Sequence, residues 1–202
     1  MKTISIIGSG GHTRSLINLI ENKYSIDGIY DDTYNSELKE VINGYQILGK
    51  LGAINKDTNI VISSGDCMKR LFFYNKYKLQ IVKTNFIHHT SKIEKWVLLG
   101  TSNQLFANTY LNSYVKIGNY NIINTGATIE HETCIGNNNH ISVKSVLCGR
   151  VFVGNNCFIG AGAIVINNIS ICDNVTIGAG SVVIRNIDSP GIYAGNPAKK
   201  IK

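Results

Sequence analysis

Proline and charged side chains are scarce in this sequence. It has two prolines in 202 residues, and charged residues make up 16% of it, against about a quarter in an average domain. No apolar run approaches the ~18 residues of a membrane-spanning helix. Hydrophobic residues nevertheless reach 44%, which excludes wholesale disorder. With 20 glycines, this composition favours short buried strands joined by tight turns and disfavours a helical bundle or a coiled coil.

Signals for metal knuckles, nucleic-acid grooves and secretion are missing too. None of the five cysteines forms a CxxC pair, so we expect buried packing thiols and no bound metal. The net charge of +7 is spread along the chain, which favours neither a nucleic acid nor a membrane as partner. Only Lys199, Lys200 and Lys202 form a local basic cluster, which suits a small polyanion. The first residues are typical of a strand rather than a signal peptide, so we expect a cytoplasmic protein.

Strands and helices alternate over residues 1–84. The apolar strands are Ile4–Ile7, Gly28–Tyr30 and Ile60–Ile62. This pattern predicts a small Rossmann-like βαβ domain, a parallel sheet covered by helices. The helix after the third strand should begin at Asp66 as N-cap and turn Met68 and Leu71 inward.

A glycine loop follows the first strand and resembles half of a dinucleotide fingerprint. Gly8 and Gly10 fit the pattern, and Asp31 or Asp32 lies about 20 residues on, but Thr13 replaces the third glycine. Its N–H groups can still bind a phosphate at a helix N-terminus. About 85 residues are too few for both halves of a dinucleotide fold. A nucleotide-sugar diphosphate is therefore favoured over NAD.

From residue 85 the alternation gives way to a strict period of six. Seventeen positions, each six residues after the last, are all Ile, Leu or Val: Ile87, Ile93, Leu99, Leu105, Leu111, Ile117, Ile123, Ile129, Ile135, Ile141, Leu147, Val153, Ile159, Val165, Ile171, Ile177 and Val183. A hexapeptide repeat is typical of a parallel β-helix, in which short strands wind around an aliphatic core. Glycine and asparagine, as in Asn137–Asn139, suit its tight turns.

His131 departs from this packing pattern. It lies two residues past the inward Ile129, so its side chain projects outward. An imidazole accepts a proton near neutral pH, and the adjacent Glu132 can orient it. A single histidine is more often structural, but His140 follows nine residues later, about half a coil on. The pair favours a functional site.

Five segments resemble the NeuD/PglD-like family of sugar acetyltransferases, which act on sialic acid or on nucleotide-linked amino sugars. These segments are Asn124–Glu132 with His140–Ser142, the ending Tyr193–Lys199, and Gly8–His12 with Asp31–Asp32. The resemblance spans nearly the whole chain. It implies a sugar-nucleotide-binding domain at residues 1–84, followed in the sequence by a left-handed β-helix at residues 85–202 that carries the acetyltransferase site. It also implies a homotrimer, with the active site between adjacent subunits.

The resemblance gives roles to individual residues. It implies that His131 is the general base and Glu132 its acidic companion, and that His140 and the Gly149 N–H lie at the acetyl thioester. The other expected contacts are Gly10, Gly11, His12, Asp31 and Asp32 for the acceptor and Lys199 and Lys200 for the CoA phosphates. Lys144 and Arg150 depart from the family pattern, which has small or amide residues there.

The predicted function is therefore N-acetylation of a nucleotide-linked amino sugar, a 4-amino-4,6-dideoxyhexose, by acetyl-CoA. The amine attacks the thioester directly, so no nucleophilic residue is needed. We expect a role in lipopolysaccharide or another surface glycan. O-acetylation of a sialic-acid-like sugar is the close alternative. An alternative from a different class is also open: a non-catalytic β-helix, or a β-helix that binds zinc through His131 and His140. The third hypothesis is an NAD-dependent enzyme.

Overall fold

The chain divides into two compact units with different architectures. The computed structural model describes residues 2–38 and 40–202, and the units are Met1–Lys83 and Thr84–Lys202. The first is an α/β unit and the second a stack of short parallel strands. The predicted fold class, a small α/β domain followed by a β-helix of hexapeptide repeats, is confirmed. Among the described residues, no helix has the length and apolarity needed to cross a membrane.

The α/β unit contains a five-stranded sheet and two α-helices. Its elements in chain order are β1 (Thr3–Ile7), α1 (Gly11–Ile20), β2 (Ser25–Tyr30), β3 (Val41–Ile42), β4 (Tyr45–Gly49), a 3₁₀ turn (Leu51–Ala53), β5 (Ile60–Ile62) and α2 (Cys67–Lys76). The strand order is β3-β4-β2-β1-β5, and only β3 runs antiparallel to its neighbour. The chain leaves β1 toward β2 on one side and later returns to β5 on the other. Crevices at the carboxyl ends of strands form at such reversals.

The two helices differ in how well the sequence predicts them. Helix α1 buries Leu16, Ile17, Leu19 and Ile20 on one face, at helical spacing. At the start of α2 the Asp66 side chain accepts a hydrogen bond from the Lys69 N–H at 2.8 Å, as expected of an N-cap.

The prediction that Met68 and Leu71 form the inward face of α2 is wrong. Met68 is 66% exposed and Leu71 is half-buried, whereas Arg70 and Tyr74 are buried. The guanidinium of Arg70 can lie inside because it donates to the carbonyl oxygens of Ser64 (2.9 Å) and Gly65 (3.3 Å).

The second unit winds seventeen short strands into a triangular coil with three parallel sheets. One sheet contains β6 (Phe86–Ile87), β9 (Gln104–Leu105), β12 (Ile122–Ile123), β15 (His140–Ile141), β18 (Phe158–Ile159) and β21 (Val175–Ile177); the next contains β7 (Lys92–Ile93), β10 (Tyr110–Leu111), β13 (Thr128–Ile129), β16 (Val146–Leu147), β19 (Ile164–Val165) and β22 (Val182–Val183); the third contains β8 (Leu98–Leu99), β11 (Lys116–Ile117), β14 (Cys134–Ile135), β17 (Phe152–Val153) and β20 (Ser170–Ile171). Paired residues lie 18 positions apart, as with Ile123 and Ile141. A hairpin of β23 (Gly191–Gly195) and β24 (Ala198–Lys200) extends the first sheet.

The aliphatic repeat forms the core of this coil. From Leu105 to Val183 every sixth residue is less than 5% exposed, and Ile87, Ile93 and Leu99 of the first coil are partly buried against the same core. Small residues fill the corners between, among them Ala127. The hydrophobic pattern thus predicts the core correctly along its whole length.

The corners of the coil hold one residue in six in the left-handed conformation. Every sixth residue from Trp96 to Gly180 has a positive φ, between 54° and 69°. Asparagines such as Asn138 fit this expectation. Six glycines directly follow a core aliphatic residue: Gly100, Gly118, Gly136, Gly154, Gly160 and Gly178. These repeat glycines do not have a positive φ, and a Cβ at Gly118 would lie 2.7 Å from the Gly136 carbonyl oxygen. They provide room for close packing between coils.

Two asparagine ladders join successive coils. In the buried ladder Asn103 donates from its side-chain amide to Asn85, and Asn121 donates to Asn103, each at 3.0 Å. Such ladders satisfy polar groups inside the turns.

The expectation that the repeat cysteines are buried is only partly right. Cys157 is buried, whereas Cys134, Cys148 and Cys172 are half-buried. The latter three therefore lie partly at the surface, although Cys172 still packs against the aliphatic core.

Candidate functional site

The α/β unit has a pocket at the carboxyl ends of β1, β2 and β5. Its volume is about 680 Å³, and it is lined by all five residues expected to bind the acceptor: Gly10, Gly11, His12, Asp31 and Asp32. They meet because Gly8–His12 follows β1 and the two acids follow β2. The N-terminus of α1 faces this region without an N-cap side chain or an acidic residue in its first turn. Its N–H groups and dipole favour an anion.

The two acids that follow β2 have different roles in the pocket. Asp31 accepts the Ser9 N–H at 2.7 Å with one oxygen and the N–H and hydroxyl of Thr33 at 2.9 and 2.7 Å with the other. Burial acts to raise the pKa of Asp31, but these hydrogen bonds outweigh it and lower the pKa below its ordinary value. Asp31 therefore holds the glycine loop in place. Asp32 uses one oxygen, which accepts the Leu51 N–H at 3.1 Å, so it is the acid better placed to contact a ligand.

The third side of this pocket was not predicted from the sequence. Residues 63–66, which follow β5, line it together with Lys69 and Phe73. Thr13, which replaces the third glycine of the fingerprint, donates to the Gly8 carbonyl at 2.8 Å and accepts from Ser63 at 2.9 Å, so it joins the first loop to the third. Residues 63–66 could have been predicted to line the pocket, because the carboxyl ends of adjacent parallel strands lie at one edge of a sheet.

In the β-helix, His131 and Glu132 form a hydrogen-bonded pair at one corner. Glu132 has a φ of 61°, and its Oε2 lies 3.0 Å from Nδ1 of His131. The two side chains are 49% and 46% exposed. With the carboxylate ionised, Nδ1 donates the proton of this bond, and the Nε2 lone pair is then available to accept one.

Gly149 lies directly against the His131 ring. A Cβ at this position would be 2.6 Å from Cε1 and Nε2, so the ring occupies space that only glycine leaves open. Gly149 is buried, and its N–H has no hydrogen-bond acceptor in the part of the chain that the structure describes. At the equivalent point two coils earlier, the Ser113 N–H is capped by Asn112 at 2.7 Å. The structure thus brings together His131 and the donor predicted beside it.

Of the two departures from the family pattern, Arg150 lies beside this pair. Its Nε is 3.0 Å from Oε2 of Glu132, the oxygen that also faces His131. The hydrogen bond from His131 lowers the pKa of Glu132, desolvation opposes it, and the charge and hydrogen bond of Arg150 lower it further. The pKa is held below its ordinary value. Lys144 lies at a different corner, where its side chain covers Gly126.

A second pocket, of about 590 Å³, opens at the His131–Glu132 pair. It is also lined by Ser113, Tyr114, Lys116 and Cys134. The Tyr114 ring stacks on Trp96 with centroids 5.0 Å apart and planes 7° from parallel. These residues were not predicted from the sequence. Their spacing could have revealed them, because residues 18 positions apart lie at the same corner or face of successive coils.

His140 does not line the His131 pocket. It lies on β15, in another sheet, and is 7% exposed. Asn124 fixes its orientation: the amide oxygen accepts the Thr125 N–H at 2.8 Å, so the amide nitrogen faces Nε2 of His140 at 3.1 Å. The proton of a neutral ring is then on Nδ1. Within residues 2–38 and 40–202, no three His, Cys, Asp or Glu side chains are grouped as metal ligands would be.

The basic tail lies on the C-terminal hairpin. Lys199 and Lys200 are consecutive on β24 and point to opposite faces of it. Lys200 turns back onto the hairpin, with Nζ 3.4 Å from Ser189 Oγ and 6.0 Å from the centre of the Tyr193 ring. Lys199 is exposed.

Comparison with known proteins agrees with this architecture. The acetyltransferase domain of PglB from Neisseria gonorrhoeae superposes with a TM-score of 0.90 at 24% identity, over 100% of both chains. WeeI from Acinetobacter baumannii gives 0.84 at 20% identity, also over 100% of both chains. At these identities the likeness shows a shared fold.

One further structure is more similar in sequence. A variant of perosamine N-acetyltransferase from Caulobacter crescentus, in complex with CoA and GDP-perosamine, superposes with a TM-score of 0.90 at 27% identity, over 100% of this chain and 97% of that one. No curated protein sequence matches the chain. Residues 3–77 match the PglD N-terminal domain, and residues 150–185 match the bacterial transferase hexapeptide model of six repeats. The chain is thus a sugar acetyltransferase that combines a PglD N-terminal domain with hexapeptide repeats, and it resembles the NeuD/PglD-like enzymes over its whole length.

Proposed function

We propose that the protein transfers an acetyl group from acetyl-CoA to the amino group of a nucleotide-linked amino sugar, a 4-amino-4,6-dideoxyhexose. The observation that carries this proposal is the arrangement of His131, whose Nδ1 faces Glu132 and whose Nε2 lies against Gly149. The Caulobacter crescentus relative, bound to CoA and GDP-perosamine, supports the choice of donor and acceptor.

The reaction needs one base and one group that stabilises negative charge. The neutral amine attacks the thioester carbon, and Nε2 of His131 accepts the proton that the nitrogen loses. The carbonyl oxygen gains charge in the tetrahedral intermediate, and the Gly149 N–H, which has no acceptor within the described residues, donates to it. Collapse of the intermediate breaks the C–S bond and expels the CoA thiolate, which takes the proton from His131. The products are the acetamido sugar and CoA.

The pocket of the α/β unit is our proposed acceptor site. The uncapped N-terminus of α1 and the Lys69 side chain suit a diphosphate, and the free oxygen of Asp32 suits a hydroxyl or amino group of the sugar. Gly10, Gly11 and His12 line the same pocket.

Besides the Gly149 N–H, the proposed donor contacts are His140, Lys199 and Lys200. None of these three side chains lines the pocket at His131, so one chain does not surround a complete acetyl-CoA site there. A trimer in which an adjacent subunit supplies them resolves this. Sedimentation should then give a species near three times 22.1 kDa. A fully active monomer would refute the assembly.

We place this reaction in the cytoplasm, where acetyl-CoA and nucleotide sugars are available, in the synthesis of a lipopolysaccharide or another surface glycan. O-acetylation of a sialic-acid-like sugar is the second candidate. The oriented His131–Glu132 pair favours it, because a hydroxyl needs more help from a base than an amine does.

A substrate screen tests the proposal. Purified protein with acetyl-CoA is offered UDP-, GDP- and dTDP-linked 4-amino sugars and free and nucleotide-linked sialic acids, and thiol release is measured. We expect turnover with a nucleotide-linked amino sugar, unchanged by a chelator. Turnover only with hydroxyl acceptors would establish the O-acetylation candidate, and near-stoichiometric zinc with chelator-sensitive activity would replace the acid–base mechanism.

A further inference from the structure

We propose that Arg150 is a positioning residue for acyl transfer, which holds Glu132 in the orientation that aligns His131. The inference rests on the proposed function, because it requires His131 to accept the proton of the acceptor. Arg150 itself is not in the pocket lining at His131, so it acts through Glu132 rather than on substrate.

Two nitrogen donors meet at one carboxylate oxygen. Oε2 of Glu132 lies 3.0 Å from Nδ1 of His131 and 3.0 Å from Nε of Arg150. The carboxylate is 46% exposed, so a single bond to a mobile imidazole would leave it free to rotate into solvent. A second bond from a charged donor restricts that rotation. The preferred state of the pair is thus the one in which Nδ1 faces the carboxylate.

The coil fixes Arg150 relative to this pair. Arg150 lies 18 residues after Glu132, at the same corner of the next coil, and both have a left-handed backbone with φ of 60° and 61°. The Arg150 N–H donates to the His131 carbonyl oxygen at 2.9 Å. Backbone and side chain of one residue therefore contact both members of the pair.

The charge of Arg150 also acts on the carboxylate itself. Glu132 faces His131 on its own coil and Arg150 on the next, and it shares its pocket with Lys116, Cys134 and Tyr114. The hydrogen bond from His131 lowers the pKa of Glu132 most, and Arg150 helps to keep it below its ordinary value. At neutral pH the carboxyl is therefore ionised, the form that accepts the Nδ1 proton most strongly.

Two substitutions separate charge from geometry. Arg150→Asn removes the charge and keeps a residue suited to the left-handed corner, as Asn168 is one coil on. We expect kcat to fall about 3- to 10-fold with both KM values within about twofold, and the loss to be smaller at high salt, which screens the ion pair in the parent protein. Arg150→Lys keeps the charge and should recover part of kcat. Lys92→Ala removes another surface cation paired with a glutamate, 3.6 Å from Glu94, and should change nothing.

A double-mutant cycle tests the route of the effect. In a Glu132→Gln background, Arg150→Asn should change kcat by less than about twofold. An equal loss in both backgrounds, an unchanged kcat in the single variant, or a raised KM for acetyl-CoA with normal kcat would each overturn the role of Arg150. Failure of His131→Ala to reduce turnover would instead overturn the proposed function. A thermal unfolding curve like that of the parent shows that Arg150→Asn is folded.

Discussion

In the α/β unit the candidate site lies on loops, whereas in the β-helix it lies at corners of the coil itself. The acceptor pocket is built from three segments that follow β1, β2 and β5. The His131–Glu132 pair occupies two of the regular positions that recur every six residues. Loops at strand ends tolerate changes in length and sequence, so they suit recognition of a particular ligand.

The corner of a coil offers the opposite property. Each corner is joined to the next by backbone hydrogen bonds, as from Arg150 to His131, so the backbone that carries these side chains has little freedom to shift. Rigid placement is what a base and an oxyanion donor require. This difference supports our proposal that the chemistry belongs to the β-helix and selection of the acceptor to the α/β unit, and the predictions below test that division.

The largest expected effect comes from His131. His131→Ala should lower kcat by roughly 10² or more, the usual range for loss of a general base, and leave both KM values nearly unchanged. The fold should persist, because the side chain is 49% exposed and contributes nothing to the aliphatic core. Steady-state kinetics with each substrate varied measures this. Turnover near that of the parent would remove His131 from the mechanism.

Gly149→Ala should have the next largest effect. The new Cβ would lie 2.6 Å from the His131 ring, so the ring must move away from the oxyanion donor. We expect a loss in kcat of roughly 10-fold to 10², since small misplacements of catalytic groups cost that much.

Gly52→Ala is the matched control for this substitution. A Cβ at Gly52 meets no atom within 4 Å, so activity should be unaffected. Full activity of Gly149→Ala would show that the contact between ring and glycine has no role in turnover.

The two regions also differ in how far the sequence predicts them. The period of six predicts the core from Leu105 to Val183, because each repeat must place an aliphatic side chain inside the coil. It does not predict that the repeat glycines serve packing between coils, as at Gly118. That requirement depends on residues 18 positions away.

The site residues likewise could be predicted where the sequence pattern itself marks them, and not where they depend on contacts with distant residues. His131 and Glu132 could be found because they depart from the repeat, and the adjacency of Gly149 to the ring came from the resemblance. Lys69 was missed because its place in the acceptor pocket depends on the turn between β5 and α2, and Met68 was predicted inward because a buried arginine at position 70 is not an expected core residue. The hydrogen-bond partners of Arg70 are two loop carbonyl oxygens, which a hydropathy pattern does not indicate.

Asp32→Asn tests the acceptor side of the division. The substitution keeps the shape and the bond to the Leu51 N–H but removes the charge, so the acceptor KM should rise by roughly tenfold, typical of one charge-assisted hydrogen bond. The KM for acetyl-CoA should stay within about twofold. Asp31→Asn is the contrasting variant: it should weaken the glycine loop and lower stability, because both Asp31 oxygens hold loop groups. Equal effects of Asp32→Asn on both substrates would break the division.

The smallest expected effect concerns the C-terminal tail and the donor. If the tail binds CoA phosphates, truncation after Pro197 should raise the KM for acetyl-CoA about 3- to 10-fold and leave the acceptor KM unchanged, since each lysine–phosphate contact is exposed and screened.

Truncation also removes β24 from its pairing with β23, so single substitutions must accompany it. Lys199→Ala should reproduce most of the rise. Lys200→Ala should do less, because its Nζ lies near Ser189 Oγ and the Tyr193 ring. A larger effect from Lys200 than from Lys199 would mean that Lys200 leaves its place on the hairpin to reach the donor. No change in either variant would make the tail a solvated end, and the donor would then depend on the β-helix alone.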